Sequence, residues 1–390
     1  MKLIKPYFEI IEQESGLEGI YKQIELAGRT CYKSEDKITP DSAKGFVDRM
    51  IKSGHGAMLE HGTVYLKADS EFYNPFIQPE DGEEEEYNDL FKYGDNNYSV
   101  CHEQRSVNGN TIYVTTNLRV LVENNWLDDL KYLCEPTEYH EKRITVKFIC
   151  DRGVSHELVR HRVFSFAQES TRYCNYSKDK FGKELTFIIP CWLDIPEGQS
   201  YWYDGLGYRV GADIQNQNFG YIKRSSNYGN FLNALENDEN VYLRLLNEGW
   251  TPQQARSVLP NALKTELVMT GTLEQWKGFF KLRSPLYGAI GAHPQAAELA
   301  DKLYIQFKEK KLYFKMSHYK ETVQYDHIDE EQEHSFRHLY ADWNSKTNTV
   351  TVWNKEGIVI YSGYDDEAKA LGCLLSNIRC QKIDKFPHED

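Results

Sequence analysis

Three things are scarce in this 390-residue chain: long apolar runs, closely spaced cysteines and net positive charge. No run of about eighteen apolar residues occurs, which excludes a transmembrane helix and argues against a membrane partner. The N-terminal segment is interrupted by Lys5, Pro6 and Glu9 and lacks a small-residue cleavage site. It therefore does not predict a secretion signal.

The cysteines exclude two kinds of site. None of the eight is spaced as Cys-x-x-Cys, so the sequence indicates neither a zinc site nor a redox pair, and we expect no metal. Scattered cysteines in a chain of this length are typical of the reducing cytoplasm, where we expect the protein to be found.

The net charge of -13 bears on the choice of partner. General binding to nucleic acid depends on many cations that neutralise phosphates, so an acidic chain argues against it. The charge does not exclude one small anionic ligand. With 40% hydrophobic residues the chain has ample material for a core, and its length predicts two domains or one domain with insertions.

Residue periodicity predicts a mixed fold of the α/β (α+β) class. The predicted helices span 15–27, 41–53, 116–124 and 294–311, and the predicted strands span 63–68, 111–115, 144–149 and 185–190. A turn is predicted at 28–32, a loop at 54–62, and surface insertions at about 71–110 and 194–218. From about residue 220 the chain is predicted to become helical, with helix starts at Thr251 and Thr272, each followed by a capping-box glutamine.

The chain is predicted to change character near its C-terminus. A first domain is expected over 1–317 and a C-terminal extension over 318–390. Within the extension, strands over 349–353 and 358–361 are expected to form a hairpin, followed by a helix over 366–376. We interpret this extension as a small appended module.

The most concentrated chemistry lies between residues 160 and 173. A short helix, capped by Asp151, is predicted to end beside the sequence Arg160-His161-Arg162, and after seven further residues come Ser170 and then Arg172. So many cations close together are costly unless an anion binds among them. Taken singly, each has a simpler explanation, since cations complement a helix C-terminus and a lone serine caps a turn. The anion-site hypothesis depends on their joint occurrence.

Three other patterns do not indicate a site. The segment 205–211 is superficially like a dinucleotide-binding loop, but its spacing is wrong and no strand-turn-helix frame surrounds it. Cys174 lacks the features of a low-pKa thiol, and we expect a buried structural cysteine. Ser170 has no His and acid partners at a recognisable spacing, so a serine nucleophile is not indicated.

The signature Arg160-His161-Arg162, seven residues, Ser170, with Arg172 after it, resembles that of the flavin-dependent thymidylate synthases. Four further blocks occur in the order of that family. His55 ahead of Glu60-His61 is similar to its early loop, 255–260 and 279–283 look like its two substrate-binding segments, and 292–295 fits the helix that follows. The resemblance covers about 1–70 and 110–312 and does not extend to the tail.

This resemblance implies a central, mostly antiparallel sheet flanked by helices, decorated by the two insertions and the C-terminal extension. It implies reductive methylation of dUMP to dTMP, with 5,10-methylenetetrahydrofolate as the one-carbon donor and tightly bound FAD reduced by NADPH. Hydride transfer from reduced flavin takes the place of an enzyme nucleophile. The family also implies a homotetramer whose active sites combine residues of several subunits.

The resemblance assigns roles residue by residue. The residues expected to bind FAD are His55, Arg160, His161, Arg162 and His293. Those expected to bind dUMP are Glu157, Gln168, Ser170, Arg172, Arg256 and Arg283. Ser170, Arg172 and Arg283 are expected to act in catalysis as well.

The chain departs from the family pattern at three places. Glu157 stands where a glutamine is often found, Ala167-Gln168 replaces the common Asn-Glu, and 286–291 is extra loop. Two rival functions stay open: a flavin-dependent nucleotide methylase with another one-carbon donor, and a non-catalytic nucleotide-binding or regulatory protein.

Overall fold

The computed structural model describes residues 1–70, 89–106, 109–195, 199–211, 220–310 and 312, together with three strands between 339 and 364. The chain divides into two compact units, Met1–Phe314 and Lys315–Asp390. The predicted domain boundary after residue 317 falls just inside the second unit.

The first unit combines short and long helices with many short strands. Its helices are α1 (Gly16–Tyr32), α2 (Ser42–Lys52), α3 (Gly56–Leu59), α4 (Leu118–Glu123), α5 (Arg152–Leu158), α6 (Asn227–Asn247), α7 (Pro252–Ala255), α8 (Leu273–Arg283) and α9 (Pro294–Glu309). Its strands are β1 (Lys2–Ile4), β2 (Tyr7–Ile11), β3 (Thr63–Ser70), β4 (Val100–Ser106), β5 (Gly109–Asn117), β6 (Arg143–Asp151), β7 (Ser165–Gln168), β8 (Thr186–Ile188), β9 (Gln199–Tyr203), β10 (Gly207–Gly211), β11 (Gly220–Lys223) and β12 (Lys264–Thr272).

These strands form three sheets. The central sheet has the order β2-β6-β12-β7, and every pairing in it is antiparallel. A second sheet has the order β11-β10-β9-β1-β8, in which β1 and β8 pair in parallel, and a third has the antiparallel order β3-β5-β4. The predicted α+β class with a mostly antiparallel central sheet is confirmed.

Aromatic packing attaches α8 and α9 to one face of the central sheet. Phe148 of β6 and Met269 of β12 are fully buried there, in one cluster with Trp276, Phe280 and Phe307. Burial of each such side chain stabilises the fold by about 2 kcal/mol. The packing fixes the C-terminal end of α8, which carries Arg283, relative to the sheet.

The strand β12 corrects the prediction that the chain is helical after about residue 220. Residues 265–271 of this strand are all buried, because β12 lies between β6 and β7 and both of its faces are covered. Val268 packs against Ala27 of α1 and Ala167 on the face opposite Met269. A strand buried on both faces shows no alternation of polar and apolar residues, so no strand could be recognised here from residue periodicity.

The region predicted as an insertion at 194–218 is joined to the second sheet. Strands β9 and β10 form a hairpin, and β9 pairs with β1. At the turn, Asp204 Oδ1 accepts hydrogen bonds from the backbone N–H groups of Leu206 and Gly207 at 3.0 and 3.1 Å, and Gly205 has φ +97°. The glycines at 205–211 therefore belong to a hairpin, and the rejection of a dinucleotide loop agrees with this.

Several local predictions were wrong in extent. Helix α1 continues through the predicted turn at 28–32. Gly28 does not mark a turn but allows close packing, since a Cβ there would lie 2.4 Å from Phe46 Cζ. The predicted loop at 54–62 contains α3. Within 71–110, the structure places β4 and the start of β5, and residues 71–88 lie outside the described part.

Other elements agree with the predictions. Helices α2, α4 and α9 and strands β3, β5, β6 and β8 lie where they were expected. The helix starts at Thr251 and Thr272 are confirmed as capping boxes. Among the described residues, none of the helices is long and apolar enough to cross a membrane.

The second unit contains a three-stranded antiparallel sheet. Its strands are β13 (Leu339–Asn344), β14 (Thr349–Asn354) and β15 (Val359–Tyr364), with β14 in the middle. Strands β14 and β15 lie over the two that were predicted, and β13 was not predicted. The predicted helix at 366–376 lies outside the described residues.

Candidate active site

The signature segment connects α5 to the central sheet. Asp151 caps α5 as predicted, since its Oδ1 accepts from Val154 N at 2.8 Å. After Leu158 the helix ends in a turn that presents residues 160–162, and the chain then enters β7, an edge strand of the central sheet that pairs with β12. A second turn follows β7 and carries Ser170 and Arg172.

Arg283 is bound between two predicted site residues. Its Nη1 pairs with the Glu157 carboxylate, its Nη2 donates to the Glu157 backbone oxygen at 3.2 Å, and its Nε donates to His161 Nε2 at 3.1 Å. A guanidinium has donors only, so His161 Nε2 must accept and the ring proton must lie on Nδ1. Burial, followed by the charge of Arg283, lowers the pKa of His161 to about 4. The ring is therefore a neutral donor at Nδ1.

The ring of His161 is also held by aromatic neighbours. Its centroid lies 5.1 Å from that of Phe279 and 6.4 Å from that of Phe164, in a T-shaped arrangement with the latter. Both phenylalanines are buried in the cluster beneath α8. The orientation of His161 is thus set by the core as well as by Arg283.

Gln168, the last residue of β7, is oriented by two hydroxyl groups. Its Nε2 donates to Ser155 Oγ at 2.9 Å and to Thr265 Oγ1 at 3.3 Å. Because both contacts use the amide nitrogen, the amide oxygen remains able to accept a hydrogen bond.

The turn after β7 is held to α1 and to α7. Ser170 N donates to Cys31 O at 2.9 Å, and Ser170 Oγ accepts from Arg172 N at 3.3 Å. Arg172 Nε donates to Gln253 Oε1 of α7 at 3.1 Å, which brings Arg172 near the short helical turn that contains Arg256. The Arg172 guanidinium also lies 5.2 Å from the centroid of the Tyr173 ring.

Besides Arg172, three of the predicted arginines have exposed side chains: Arg160, Arg162 and Arg256. Within the part of the chain that the structure describes, none of the three pairs with a carboxylate. Exposed arginines without a carboxylate partner among the described residues are suited to an anionic ligand, because guanidinium groups bind phosphate and carboxylate bidentately.

The two remaining histidines lie at the starts of helices. His55 precedes α3 and is exposed, and no described contact joins it to the signature residues. His293 precedes α9 and is exposed, with its ring centroid 6.2 Å from that of Trp192. Gln295 Nε2 donates to Asp151 Oδ2 at 2.8 Å, so the start of α9 is attached to the start of α5.

Cys174 and Ser170 are the two residues for which the sequence does not indicate a role as nucleophile. Cys174 is 2% exposed, and burial raises the pKa of its thiol to about 12. The described hydrogen bonds of Ser170 Oγ include no histidine.

The sequence did not reveal a group of charged residues beneath the Ser170 turn. Glu169 is 2% exposed, its Oε2 lies 2.9 Å from Lys264 Nζ, and its Oε1 accepts from Tyr176 OH at 2.9 Å. Lys264 also contacts Glu266. The one available signal was the pair of charged residues at 264 and 266, which would share a face if β12 had been recognised.

Comparison with known proteins gives one family. A family model described as "Thymidylate synthase complementing protein" matches residues 135–311, which include every predicted site residue except His55. A flavin-dependent thymidylate synthase of Corynebacterium glutamicum is 22% identical over 304 residues, covering 76% of this chain and 80% of that protein. The one from Corynebacterium diphtheriae is 30% identical over 264 residues, covering 67% and 66%.

A likeness also exists among solved structures. The UMP/dUMP methylase PolB from Streptomyces cacaoi, bound with 5-Br dUMP, matches with a TM-score of 0.33 and 16% sequence identity, over 79% of this chain and 93% of that one.

Proposed function

Because the chain belongs to the flavin-dependent thymidylate synthase family, we propose that it methylates dUMP reductively to dTMP. In this proposal 5,10-methylenetetrahydrofolate supplies the carbon, and tightly bound FAD, reduced by NADPH, is the redox cofactor. The observation that carries the proposal is the placement of the signature arginines, His161 and Arg283 on or beside the two turns that flank β7, in an otherwise acidic protein.

The dUMP site is assigned to the turn after β7 and to the segments attached to it. Arg172 and Arg256 are proposed to bind the phosphate, with Ser170 as a nearby hydroxyl donor. Gln168 is proposed to accept a hydrogen bond from an N–H of uracil through Oε1, since its amide nitrogen is already engaged. Glu157 is proposed to act on the same site through Arg283, whose guanidinium it orients.

The turn before β7 is assigned to the flavin. Arg160 and Arg162 fit an anionic cofactor because they are exposed and have no carboxylate partner among the described residues. His161 is proposed to donate from Nδ1, and His55 and His293 to complete the cofactor site. When bound, the flavin supplies the hydride, so the protein contributes binding, orientation and electrostatic field.

The protein's own contribution to the reaction is a set of fixed donors. Arg283 is held by Glu157 and His161 before any ligand binds, so little reorganisation is needed when negative charge develops on uracil. A preorganised donor of this kind contributes about 3 kcal/mol to stabilisation of the transition state. No step requires Ser170 or Cys174 as a nucleophile.

The proposal includes a cytoplasmic homotetramer with sites shared between subunits. Support comes from large apolar side chains that are exposed close to the site residues: Val163, Leu282, Leu286 and Ile290. Leu282, Leu286 and Ile290 lie in one stretch of the chain, and large exposed apolar side chains that form a patch are typical of protein interfaces.

Thymidylate formation tests the proposal directly. Purified full-length protein is incubated anaerobically with FAD, NADPH, dUMP and methylenetetrahydrofolate, and dTMP is measured for the wild type and for Arg172→Ala. We expect wild-type turnover and a loss of at least about 100-fold in kcat/KM for Arg172→Ala, since a charge-assisted contact to phosphate is removed. Arg209→Ala in the β9–β10 hairpin is the matched control and should retain activity.

Each rival gives a different result. Absence of dTMP from the wild type under these conditions contradicts the proposal. Methylated product without consumption of methylenetetrahydrofolate indicates a methylase with another one-carbon donor. Purified protein that binds dUMP but shows no flavin absorbance and takes up no added FAD indicates a nucleotide-binding protein.

A further inference from the structure

A balanced group of charges, built on the buried carboxylates of Glu169 and Glu266, lies under the turn that carries Ser170 and Arg172. We call it the buried ion network, and its members are Lys33, Lys147, Lys264, Glu35, Glu169 and Glu266. Three lysines face three glutamates, so the formal charges cancel. Glu266 is its centre, and the surrounding lysines hold the pKa of its carboxyl far below the usual range despite its burial.

The contacts within the network are short. Glu266 Oε1 lies 2.8 Å from Lys33 Nζ and 2.5 Å from Lys264 Nζ, and its Oε2 lies 2.6 Å from Lys147 Nζ. Lys264 Nζ also lies 2.9 Å from Glu169 Oε2. Lys264 is thus the one described cation that links the carboxylate of Glu169 to Glu266.

The network is joined to the proposed dUMP site through the backbone. Glu169 lies between Gln168 and Ser170, and while its side chain enters the network, its N–H donates to Glu266 O at 2.8 Å. The next N–H, of Ser170, donates to Cys31 O near the end of α1. Lys33 follows that end in a left-handed conformation (φ 47°), which brings its ammonium to Glu266.

We propose that Glu169 and Lys264 are positioning residues, whose buried ion pair fixes the turn that presents Ser170 and Arg172 to dUMP. The inference rests on the proposed function and deepens it. Removing one partner of a buried pair leaves an uncompensated charge and is strongly destabilising locally, whereas removing both restores balance. The turn should therefore respond to each single change and recover in the double change.

Three variants of the full-length, FAD-loaded protein test this: Glu169→Gln, Lys264→Met and the double variant. The measurements are the dUMP Kd by calorimetry, KM and kcat for dUMP, flavin content and Tm. We expect each single variant to raise the Kd and KM for dUMP about tenfold, with flavin content unchanged, and the double variant to return to within about threefold of wild type. Asp48→Asn, in the exposed Lys44–Asp48 pair, is the control and should change none of these.

The outcomes distinguish a failure of this inference from a failure of the proposed function. If the wild type binds dUMP and the single variants lower Tm without changing its Kd or KM, the pair is only structural and the inference is overturned. A double variant no better than the worse single variant also overturns it. If the wild type neither binds nor converts dUMP, the proposed function fails and this inference fails with it.

Discussion

Arg283 determines the chemical state of His161. Its Nε can only donate, so contact with His161 Nε2 is possible only while that nitrogen carries no proton. A second histidine, His61, is 0% exposed and shares its Nδ1 with Thr270 Oγ1 at 2.8 Å. Burial and the nearby charge of Arg143 lower the pKa of His61 to about 3. Both rings are thus neutral in the folded chain.

These two histidines predict a stability loss in acid. Their folded pKa values of about 4 and about 3 lie below the unfolded value of about 6.5, so the unfolded chain binds more protons as the pH falls below 6.5. The stabilisation that depends on the neutral histidines is therefore fully present above about pH 6.5, and the free energy of unfolding decreases as the pH falls toward 4. Each histidine contributes at most about 1.4 kcal/mol per pH unit, and His161 less because its ring is partly exposed.

Urea unfolding at pH 7, 6 and 5 measures this effect in the wild type and in His161→Gln. Glutamine can still accept from Arg283 but does not titrate, so the variant should lose stability less steeply between pH 6 and pH 5. Parallel pH dependences of the two proteins would show that His161 is not linked to stability in this range.

The close contact between α1 and α2 predicts how a substitution in α1 changes the stability of the protein. Gly28 in α1 leaves no room for a methyl group, because a Cβ would lie 2.4 and 2.7 Å from two ring atoms of Phe46. Gly28→Ala should lower the free energy of unfolding by about 1–3 kcal/mol through overpacking.

Gly278 in α8 is the matched control for this change. It lies in a helix, is exposed, and a Cβ there meets no atom within 4 Å. Gly278→Ala should stabilise the protein by about 0.5–1 kcal/mol, since alanine favours helix without a clash. Urea unfolding measures the free energy of unfolding of both variants, and equal changes in the two would contradict the packing argument.

Some of the helices and strands could be predicted from the sequence, and others could not. Local signals sufficed where they were strong, as for Asp151 before α5 and Thr272 before α8. They failed for β12, whose two covered faces remove the alternation. The buried ion network was also missed, because Lys33 and Glu266 meet across 233 residues and no local pattern reports such a contact.

At the scale of the whole molecule, exposed apolar side chains predict assembly. Leu286 is 60% exposed and lies in the extra loop between Arg283 and His293. If this loop is part of the subunit interface, Leu286→Glu should shift the protein from tetramer toward smaller species, because a charge would be buried without a partner.

Sedimentation velocity at equal protein concentration measures this shift. Leu206→Glu provides the control, since Leu206 is 79% exposed at the tip of the β9–β10 hairpin. A wild type that sediments as a monomer would contradict the proposed tetramer. An unchanged tetramer in Leu286→Glu would place the interface elsewhere.

The strand order β2-β6-β12-β7 has a consequence for how the protein is made. The signature strand β7 is an edge strand, and β12 is the strand it pairs with. Gln168 and Thr265, which meet across that pairing, are 97 residues apart. Contacts between distant segments form slowly, and a chain still on the ribosome cannot form them before the later segment has emerged. The signature is thus synthesised well before its partner strand β12, and the proposed site cannot be complete until Arg283 and His293, which follow β12 in the chain, have emerged as well.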